Sequence, residues 1–393
     1  MPYKILTLNR ISERGLARFA GAPYEIGDHV QAPDAILLRS ADMHAMTLPA
    51  TLKAVARAGA GTNNIPVEAL SRRGVPVFNT PGANANAVKE LVLAGLLLAA
   101  RNICQAWEFA RGLGGDDQAV ELAAERGKQR FVGFELPGRT LGVIGLGAVG
   151  VRVANAAEAL GMHVLGYDPQ LTVQRAWQLS SGVQQAGSLE DLCARSDAVT
   201  IHVPLTAETR QLFDRARIAH MRRGALLLNF ARAPIVDTAA LLDALQSGQL
   251  HAYICDFPSA ALREHPRVIA LPHLGASTLE AEDNCAVAAA EALREFLEFG
   301  HVRNSVNFPD AVLARQSGSI RIAIANDNVP NMVGQISTCL AEAQLNIAEL
   351  LNRSRGEHAY TLIDAEGSAD EGLLQRLAAI EGVRSVRLVH AAE

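Results

Sequence analysis

Residues 141–150 read Leu-Gly-Val-Ile-Gly-Leu-Gly-Ala-Val-Gly, and this stretch decides the fold. An apolar strand leads into a Gly-x-Gly-x-x-Gly turn, and a helical run follows the turn. Strand, glycine-rich turn and helix in this order are typical of a site for the pyrophosphate of a dinucleotide. Gly145 allows the tight turn, Gly147 lets the backbone approach the pyrophosphate, and Gly150 allows close packing of the helix on the strand.

The cofactor predicted from this segment is NAD. The N–H groups of Ala148 and Val149, at the start of the helix, suit phosphate oxygens. Asp168 follows the next strand, 18 residues after Gly150. A carboxylate there can bind both ribose hydroxyls and would repel a 2′-phosphate, which favours NAD over NADP. A structural turn beside a surface aspartate is the alternative interpretation.

Strands and helices alternate on both sides of this motif, which predicts parallel sheets covered by helices. The fold class is therefore α/β, with two doubly wound, Rossmann-like parallel-sheet domains. The predicted strands are 4–8, 35–39, 75–78, 140–144, 163–167, 198–202, 225–229 and 268–270. A long helix is predicted over 280–300.

A separate C-terminal block is predicted over 319–393, after a linker at 307–318 where Pro, Ser and Gly interrupt the pattern. Its elements follow the order βαββαβ, which is the ferredoxin-like arrangement. A disordered tail is the alternative, and the apolar strands argue against it. The predicted strands are 320–325, 347–354, 359–365 and 383–389, and the predicted helices are 333–344 and 373–379.

Two polar residues follow apolar strands, at the positions where α/β folds bind ligands. Arg232 follows 225–229, and its guanidinium can hold a carboxylate with two parallel hydrogen bonds. His273 follows 268–270 and can take a hydroxyl proton as a hydride leaves. Taken singly, a solvated surface arginine and a structural histidine are the alternatives.

Composition and charge exclude several other classes of protein. The net charge of −5 gives no reason to expect nucleic acid as a partner. The five cysteines lack metal-ligand spacing, so we expect reduced thiols and no metal. No signal-peptide layout is present, and the apolar run 91–100 is too short to span a bilayer. We therefore expect a cytoplasmic protein without membrane contact.

The stretches GVIGLGAVG, YDP, HVPLT, NFARAPIVD and PHLGAST resemble the D-isomer-specific 2-hydroxyacid dehydrogenase family over roughly residues 1–305. The resemblance implies a discontinuous substrate-binding domain, 1–92 with 275–306, and an NAD-binding domain, 93–274. It implies that Arg232 binds the substrate carboxylate, that His273 is the acid/base, and that Asp256 binds the nicotinamide amide. Further cofactor-binding positions are implied at His202, Pro204, Phe230, Ala231, Gly275 and Ala276.

The sequence departs from the family at the acid that orients the catalytic histidine. The family usually has a glutamate shortly after the position of Asp256, whereas this chain has Ala260 and Ala261 there. Glu264 is the next acid, so either it substitutes for the missing glutamate or no carboxylate does. We expect weaker catalysis than is usual in the family.

Two N-terminal arginines, Arg39 and Arg57, suit a second, phosphate-like anion. Ordinary surface arginines are the alternative. With Gly59, Ala60 and Asn84, they resemble the family members that oxidise D-3-phosphoglycerate to 3-phosphohydroxypyruvate, the first step of the phosphorylated route to L-serine. The expected substrate is therefore a phosphorylated 2-hydroxy acid.

Residues 326–331 read Asn-Asp-Asn-Val-Pro-Asn and residues 345–348 read Leu-Asn-Ile-Ala, and with this pattern the C-terminal block resembles an ACT domain, a regulatory module. In relatives, polar side chains on the matching loops bind L-serine, which implies effector binding by Asn326, Asn328 and Asn346. The alternative is that this block only pairs subunits. The resemblance implies a homodimer formed through the NAD domains, which paired ACT domains could extend to a homotetramer.

Two other functions stay open at this point. The first is another D-2-hydroxyacid dehydrogenase or a 2-oxoglutarate reductase. The second is a non-catalytic NAD-binding regulator, against which the presence of both Arg232 and His273 argues. Substitution of Arg39 and Arg57 discriminates a phosphorylated substrate from another 2-hydroxy acid, because a substrate without a phosphate would not require these arginines.

Overall fold

The computed structural model describes residues 2–21 and 23–389 and divides into two compact units. The first unit is Met1–Asn84 with Leu279–Glu393, and the second is Ala85–Thr278. These bounds differ from the domain bounds expected at 92/93 and 274/275. The helix Ala85–Ala100 falls in the second unit because Val92 and Leu96 are buried in that unit's core.

The described residues form strands and helices that are numbered here in chain order. The strands are β1 Tyr3–Leu8, β2 Tyr24–Gly27, β3 Ala35–Leu38, β4 Ala54–Arg57, β5 Val77–Phe78, β6 Thr140–Ile144, β7 His163–Tyr167, β8 Gln184–Gln185, β9 Ala198–Ile201, β10 Ala225–Asn229, β11 Leu250–Cys255, β12 Val268–Ala270, β13 Ile320–Asp327, β14 Asn346–Arg355, β15 His358–Glu366 and β16 Val383–Val389. The helices are α1 Glu13–Leu16, α2 Val67–Arg72, α3 Ala85–Ala100, α4 Ile103–Arg111, α5 Asp117–Gly127, α6 Ala148–Ala159, α7 Val173–Ala176, α8 Leu189–Arg195, α9 Arg215–His220, α10 Thr238–Gln246, α11 Leu279–Phe299, α12 Met332–Glu342 and α13 Glu371–Ala378.

The second unit is built on a seven-stranded parallel sheet with the order β12-β11-β10-β9-β6-β7-β8. The chain order reverses between β9 and β6, which is where doubly wound folds bind ligands at the carboxyl ends of their strands. The predictions for β6, β7, β10 and β12 are confirmed with the same bounds. Strand β11, after which Asp256 follows, was not predicted.

The first unit contains a five-stranded parallel sheet with the order β2-β1-β3-β4-β5. Strands β3 and β4 are buried on both faces, with Ala289, Leu293 and Phe296 of α11 in the core on one side and Leu70 of α2 in the core on the other. Their carboxyl ends place Arg39 and Arg57 side by side at one edge of the sheet. The parallel sheets predicted for both parts of the chain are confirmed.

The C-terminal block has a four-stranded antiparallel sheet with the order β14-β15-β13-β16. This order and the βαββαβ succession of elements confirm the predicted ferredoxin-like arrangement. Gly356 turns the β14–β15 hairpin with a φ of +60°.

This antiparallel sheet packs on the end of α11 within the first unit. Arg321, fully buried, forms a two-bonded ion pair with Asp364 and also donates to the carbonyl of Phe299 at 3.1 Å. The hydroxyl of Tyr360 donates to the carbonyl of Gly300 at 3.0 Å. These bonds satisfy carbonyls that a helix end leaves unpaired. Phe308, in the segment predicted as a linker, is buried in the same core.

Candidate active site

The glycine turn after β6 has the shape that a dinucleotide requires. Gly145 has a φ of +85°, and a Cβ atom there would come within 2.7 Å of the carbonyl oxygen of His202. A Cβ atom at Gly150 would overlap the carbonyl of Gly145, whereas one at Gly147 would have no neighbour within 4 Å. Two of the glycines are therefore required for the turn itself, and the third leaves open space for the pyrophosphate.

Helix α6 begins directly after this turn, with Gly147 as its N-cap. Because glycine has no side chain, the N-terminal N–H groups receive no side-chain cap from it. The N–H groups of Ala148 and Val149 and the positive end of the helix dipole therefore suit the oxygens of a phosphate.

The carboxylate of Asp168 is fixed at the carboxyl end of β7, beside the glycine turn. Its Oδ2 accepts a hydrogen bond from the N–H of Leu146 at 2.9 Å, and its Oδ1 accepts one from the N–H of Gln170 at 2.9 Å. The residue is half-buried, so each oxygen keeps further acceptor capacity. A negative charge held in this position suits a ribose diol and disfavours a 2′-phosphate.

His202 follows β9 and lies against the glycine turn. Its Nε2 is 3.0 Å from Oγ1 of Thr200, and desolvation lowers the pKa of the half-buried imidazole to about 3. The ring is therefore neutral at physiological pH. Pro204 lies two residues further along the same loop and is exposed.

Asp256, directly after β11, provides the strongest sign of a bound ligand in the second unit. The residue is 2% exposed, and its Oδ2 accepts a hydrogen bond from the N–H of Gly275 at 3.0 Å. Its Oδ1 is buried and has no partner among the residues that the structure describes. A buried acceptor without a donor is costly. Burial also raises the pKa of this carboxyl. An amide N–H, such as that of nicotinamide, fits this unpaired acceptor. Ala276 follows Gly275 in the chain.

His273 lies on the exposed loop after β12. Its backbone N–H donates to the carbonyl of Asp256 at 3.0 Å, and its φ is +48°. The ring of Phe257 meets the imidazole edge to face, with 5.3 Å between centroids. The loop after β11 therefore holds both the backbone and the ring of this histidine. Sequence reasoning did not single out Phe257.

The structure places Glu264 away from the role of an orienting acid. Its carboxylate pairs with Arg263 at 3.0 Å, and both side chains are exposed. Within 2–21 and 23–389, no carboxylate forms a hydrogen bond or ion pair with the ring of His273. Ala260 and Ala261 occupy an exposed turn and contribute no acid.

Arg232 follows β10 in a turn that is shaped by a buried amide. The Nδ2 of Asn229 donates to the carbonyl of Arg232 at 2.9 Å, and the Oδ1 of Asn229 accepts from the N–H of Ala231 at 3.1 Å. The exposed guanidinium of Arg232 donates to the carbonyl of Ala231 at 2.6 Å. Phe230 is buried beneath the turn. The exposed guanidinium can bind an anion, and Asn229 was not identified from the sequence.

In the first unit, Arg39 and Arg57 are brought together. The Nε of Arg57 donates to the carbonyl of Arg39 at 2.8 Å, and both residues are half-buried. Arg39 forms an ion pair of 2.7 Å with Glu282, in the first turn of α11. Two guanidinium groups and one carboxylate therefore meet at this edge of the sheet.

The loop after β5 is tied to the turn after β4. The N–H of Thr80 donates to the carbonyl of Gly59 at 3.1 Å, and the amide of Asn79 donates to the carbonyl of Ala60 at 2.6 Å. Asn84 ends this loop, half-buried, immediately before α3. The predicted substrate-binding residues of the first unit thus lie on two linked loops.

Two of the three predicted effector residues line one cavity of about 150 Å³ in the C-terminal block. Asn326 is 1% exposed and accepts from the hydroxyl of Thr361 at 3.2 Å, and Asn328 donates to the carbonyl of Gly356 at 3.1 Å. Asn346 lies instead at the start of β14, where its amide donates to Glu366 at 3.0 Å.

Known proteins resemble this chain over most of its length. A family model described as D-isomer specific 2-hydroxyacid dehydrogenase, NAD binding domain, matches residues 94–275. The chain is 34% identical over 342 residues to D-3-phosphoglycerate dehydrogenase from Haemophilus influenzae, covering 84% of this chain and 79% of that protein. It is 38% identical over 367 residues to D-3-phosphoglycerate dehydrogenase from Mycobacterium leprae, covering 87% of this chain and 67% of that protein. The solved structure of NAD⁺-bound 3-phosphoglycerate dehydrogenase from Entamoeba histolytica has a TM-score of 0.60 and 26% identity, covering 78% of this chain and 99% of that one.

Proposed function

Because the chain belongs to the D-isomer-specific 2-hydroxyacid dehydrogenase family, we propose that it is an NAD-dependent enzyme that oxidises D-3-phosphoglycerate to 3-phosphohydroxypyruvate. The observation that carries the choice of substrate is the pair formed by Arg39 and Arg57, whose guanidinium groups suit a phosphate. The product would enter the phosphorylated route to L-serine. The second candidate activity is oxidation of another D-2-hydroxy acid or reduction of 2-oxoglutarate.

The residues of the second unit would hold NAD at three points. The glycine turn and the start of α6 suit the pyrophosphate, Asp168 the ribose diol, and the vacant Oδ1 of Asp256 the nicotinamide amide. His202 and Pro204 line the adenosine side. When bound, NAD supplies the hydride acceptor.

Arg232 and His273 carry the chemistry at the substrate. The guanidinium of Arg232 binds the carboxylate and, in the reverse direction, polarises the neighbouring carbonyl. The imidazole of His273 takes the hydroxyl proton as the C–H bond breaks, and it returns that proton in the reverse direction. In most of the family a glutamate orients the catalytic histidine. In this chain the ring of Phe257 and the carbonyl of Asp256 contact His273 instead. We expect this arrangement to support turnover, at a lower rate than a carboxylate-oriented histidine.

The substrate proposal is tested by steady-state kinetics with matched arginine variants. Arg39→Gln is expected to raise KM for D-3-phosphoglycerate roughly 10- to 100-fold, because it removes a charged donor from the phosphate. It should leave KM for D-glycerate unchanged. Arg18→Gln is the matched control, since Arg18 also forms one ion pair with a glutamate of α11, Glu291. Equal effects of Arg39→Gln on both substrates would favour an unphosphorylated substrate.

We further propose that the C-terminal block is an ACT domain that binds L-serine. The cavity lined by Asn326 and Asn328 supports this assignment, since amide groups can bind the carboxylate and ammonium of an amino acid. Inhibition by L-serine that is lost in Asn328→Ala, with unchanged activity in the absence of serine, is the expected result. A block that only pairs subunits would give no serine response.

We also propose a homodimer formed through the second unit. This unit exposes large apolar side chains near α4 and α5, which a monomer rarely leaves in water. These side chains are Leu97, Ile103, Trp107, Leu122 and Val132. Trp107→Glu is expected to halve the mass measured by light scattering, and an unchanged mass would exclude this surface. Pairing of the C-terminal blocks would give a homotetramer.

No helix within the described residues is long and apolar enough to cross a membrane, and the cytoplasmic location stays a prediction. A non-catalytic NAD-binding regulator is the alternative function. It predicts tight binding of NAD without turnover of any hydroxy acid.

A further inference from the structure

The anion site proposed in the first unit already contains a carboxylate. Oε1 of Glu282 lies 2.7 Å from Nη1 of Arg39, and no other ion pair of Arg39 is found within the described parts of the chain. Arg57 contacts the backbone of Arg39. The cluster of Arg39, Arg57 and Glu282 therefore has a net charge of +1, rather than the +2 that the arginines alone would give.

The position of Glu282 is fixed by its helix and not only by its ion pair. Its neighbour Asp283 accepts a hydrogen bond from the hydroxyl of Ser12 at 2.5 Å and pairs with Arg14 at 3.4 Å. Both acids lie in the first turn of α11, where the helix dipole favours negative charge. The first turn of α11 is therefore held by contacts of Asp283 that do not involve the ion pair between Glu282 and Arg39.

The buried thiol of Cys285 lies one turn further along α11. Burial raises its pKa, a hydrogen bond with Thr80 and the positive charges of Arg39 and Arg57 lower it, and the negative charge of Glu282 raises it. A phosphate at this edge would be bound by both guanidinium groups and repelled by the carboxylate. Since the side chains of Arg39 and Glu282 are 36% and 41% exposed, their ion pair is weak enough for an anion to displace.

We propose that Glu282 is a specificity-determining residue that competes with the substrate phosphate for Arg39 and so limits the affinity for the phosphorylated substrate. This inference rests on the proposed phosphate role of Arg39. A phosphate carries almost two negative charges and a carboxylate one, so repulsion by Glu282 weakens phosphate binding more than the binding of a singly charged group. Substrates without a second anion are unaffected.

The test compares Glu282→Gln with Glu280→Gln in the full-length protein. Glu280 lies in the same first turn, is exposed and has no ion pair among the described residues, so its variant makes the same charge change without touching Arg39. Glu282→Gln is expected to lower KM for D-3-phosphoglycerate roughly two- to fivefold at low ionic strength, with kcat unchanged. The gain should shrink at high salt, and KM for D-glycerate should not move. Glu280→Gln should behave as the unmodified chain.

The outcomes separate this inference from the function on which it rests. An unchanged or raised KM in Glu282→Gln, together with a raised KM in Arg39→Gln, overturns the competition and leaves the substrate proposal in place. An Arg39→Gln variant with an unchanged KM for D-3-phosphoglycerate removes the phosphate site, and both proposals fail with it. Inorganic phosphate serves as a second probe, because its inhibition constant should fall in Glu282→Gln in parallel with KM.

Discussion

Replacing Asp168 by asparagine keeps the shape of the side chain and removes the charge that selects the cofactor. One oxygen remains to accept from the N–H of Leu146, which is 2.9 Å from the carboxylate in the native chain. The amide that replaces the second oxygen cannot accept from Gln170 or from a ribose hydroxyl. Because this group lies at the end of β7, beside the predicted ribose site, the substitution should weaken the binding of NAD and strengthen the binding of NADP.

The substitution changes the affinity for each of the two coenzymes. Loss of a charged acceptor for the ribose diol costs about 2–3 kcal/mol, which corresponds to a roughly 30- to 150-fold rise in KM for NAD. Removal of one negative charge about 4 Å from a 2′-phosphate dianion relieves about 2 kcal/mol at the dielectric constant of water, or a roughly 30-fold fall in KM for NADP. The preference for NAD over NADP should therefore fall on the order of a thousandfold.

The assay is the initial rate of coenzyme reduction at saturating substrate with each coenzyme in turn. Asp197→Asn is the matched control, because Asp197 also accepts from a backbone N–H, that of Thr140 at 2.8 Å, but precedes β9 at the opposite edge of the sheet. A preference in Asp168→Asn that changes less than threefold, or that changes equally in Asp197→Asn, would refute this assignment of the ribose site.

Three further predictions concern catalysis, pH and stability. His273→Asn should lower kcat roughly 10²- to 10⁴-fold in steady-state kinetics, with little change in the Kd for NADH measured by fluorescence titration. Arg232→Gln should instead raise KM for every 2-hydroxy acid. Comparable effects of both variants on NADH binding would contradict these roles. Burial lowers the pKa of His202 to about 3, so its ring gains a proton only below that pH. A plot of the Kd for NADH against pH should therefore show no inflection from this residue at physiological pH. An inflection near neutrality that His202→Asn abolishes would contradict this prediction. Asp364→Asn leaves the fully buried guanidinium of Arg321 without its counterion. We expect urea titrations to show a free energy of unfolding of the first unit that is lower by about 3–5 kcal/mol. A loss below about 1 kcal/mol would mean that water reaches the pair.

The sequence was sufficient to predict elements whose local pattern is strong. The apolar strand before Gly145 and the motif strands β7, β10 and β12 have the predicted bounds. The C-terminal βαββαβ order was also predicted, because apolar residues recur along each of its strands. Strands β2, β4, β8 and β11 were missed. Strand β4 is short and rich in alanine, which has low strand propensity, and β11 includes His251 within a buried run.

Residues that act through tertiary contacts could not be found from local pattern. Asn229 shapes the turn that carries Arg232, and Phe257 contacts His273 from a loop after another strand. The pair formed by Arg39 and Glu282 joins positions more than two hundred residues apart in the chain. Such contacts depend on how the sheet and its helices pack, which neither periodicity nor spacing encodes.

The central claim is the identity of the substrate, and the most direct measurement is the rate of NADH formation with D-3-phosphoglycerate in the presence of a trap for the product. D-glycerate, D-lactate and 2-hydroxyglutarate are measured in parallel at equal concentrations. We predict that kcat/KM is highest for D-3-phosphoglycerate, and that Arg39→Gln removes this preference. A higher kcat/KM for an unphosphorylated acid, or tight binding of NADH without turnover of any of the four acids, would contradict the account.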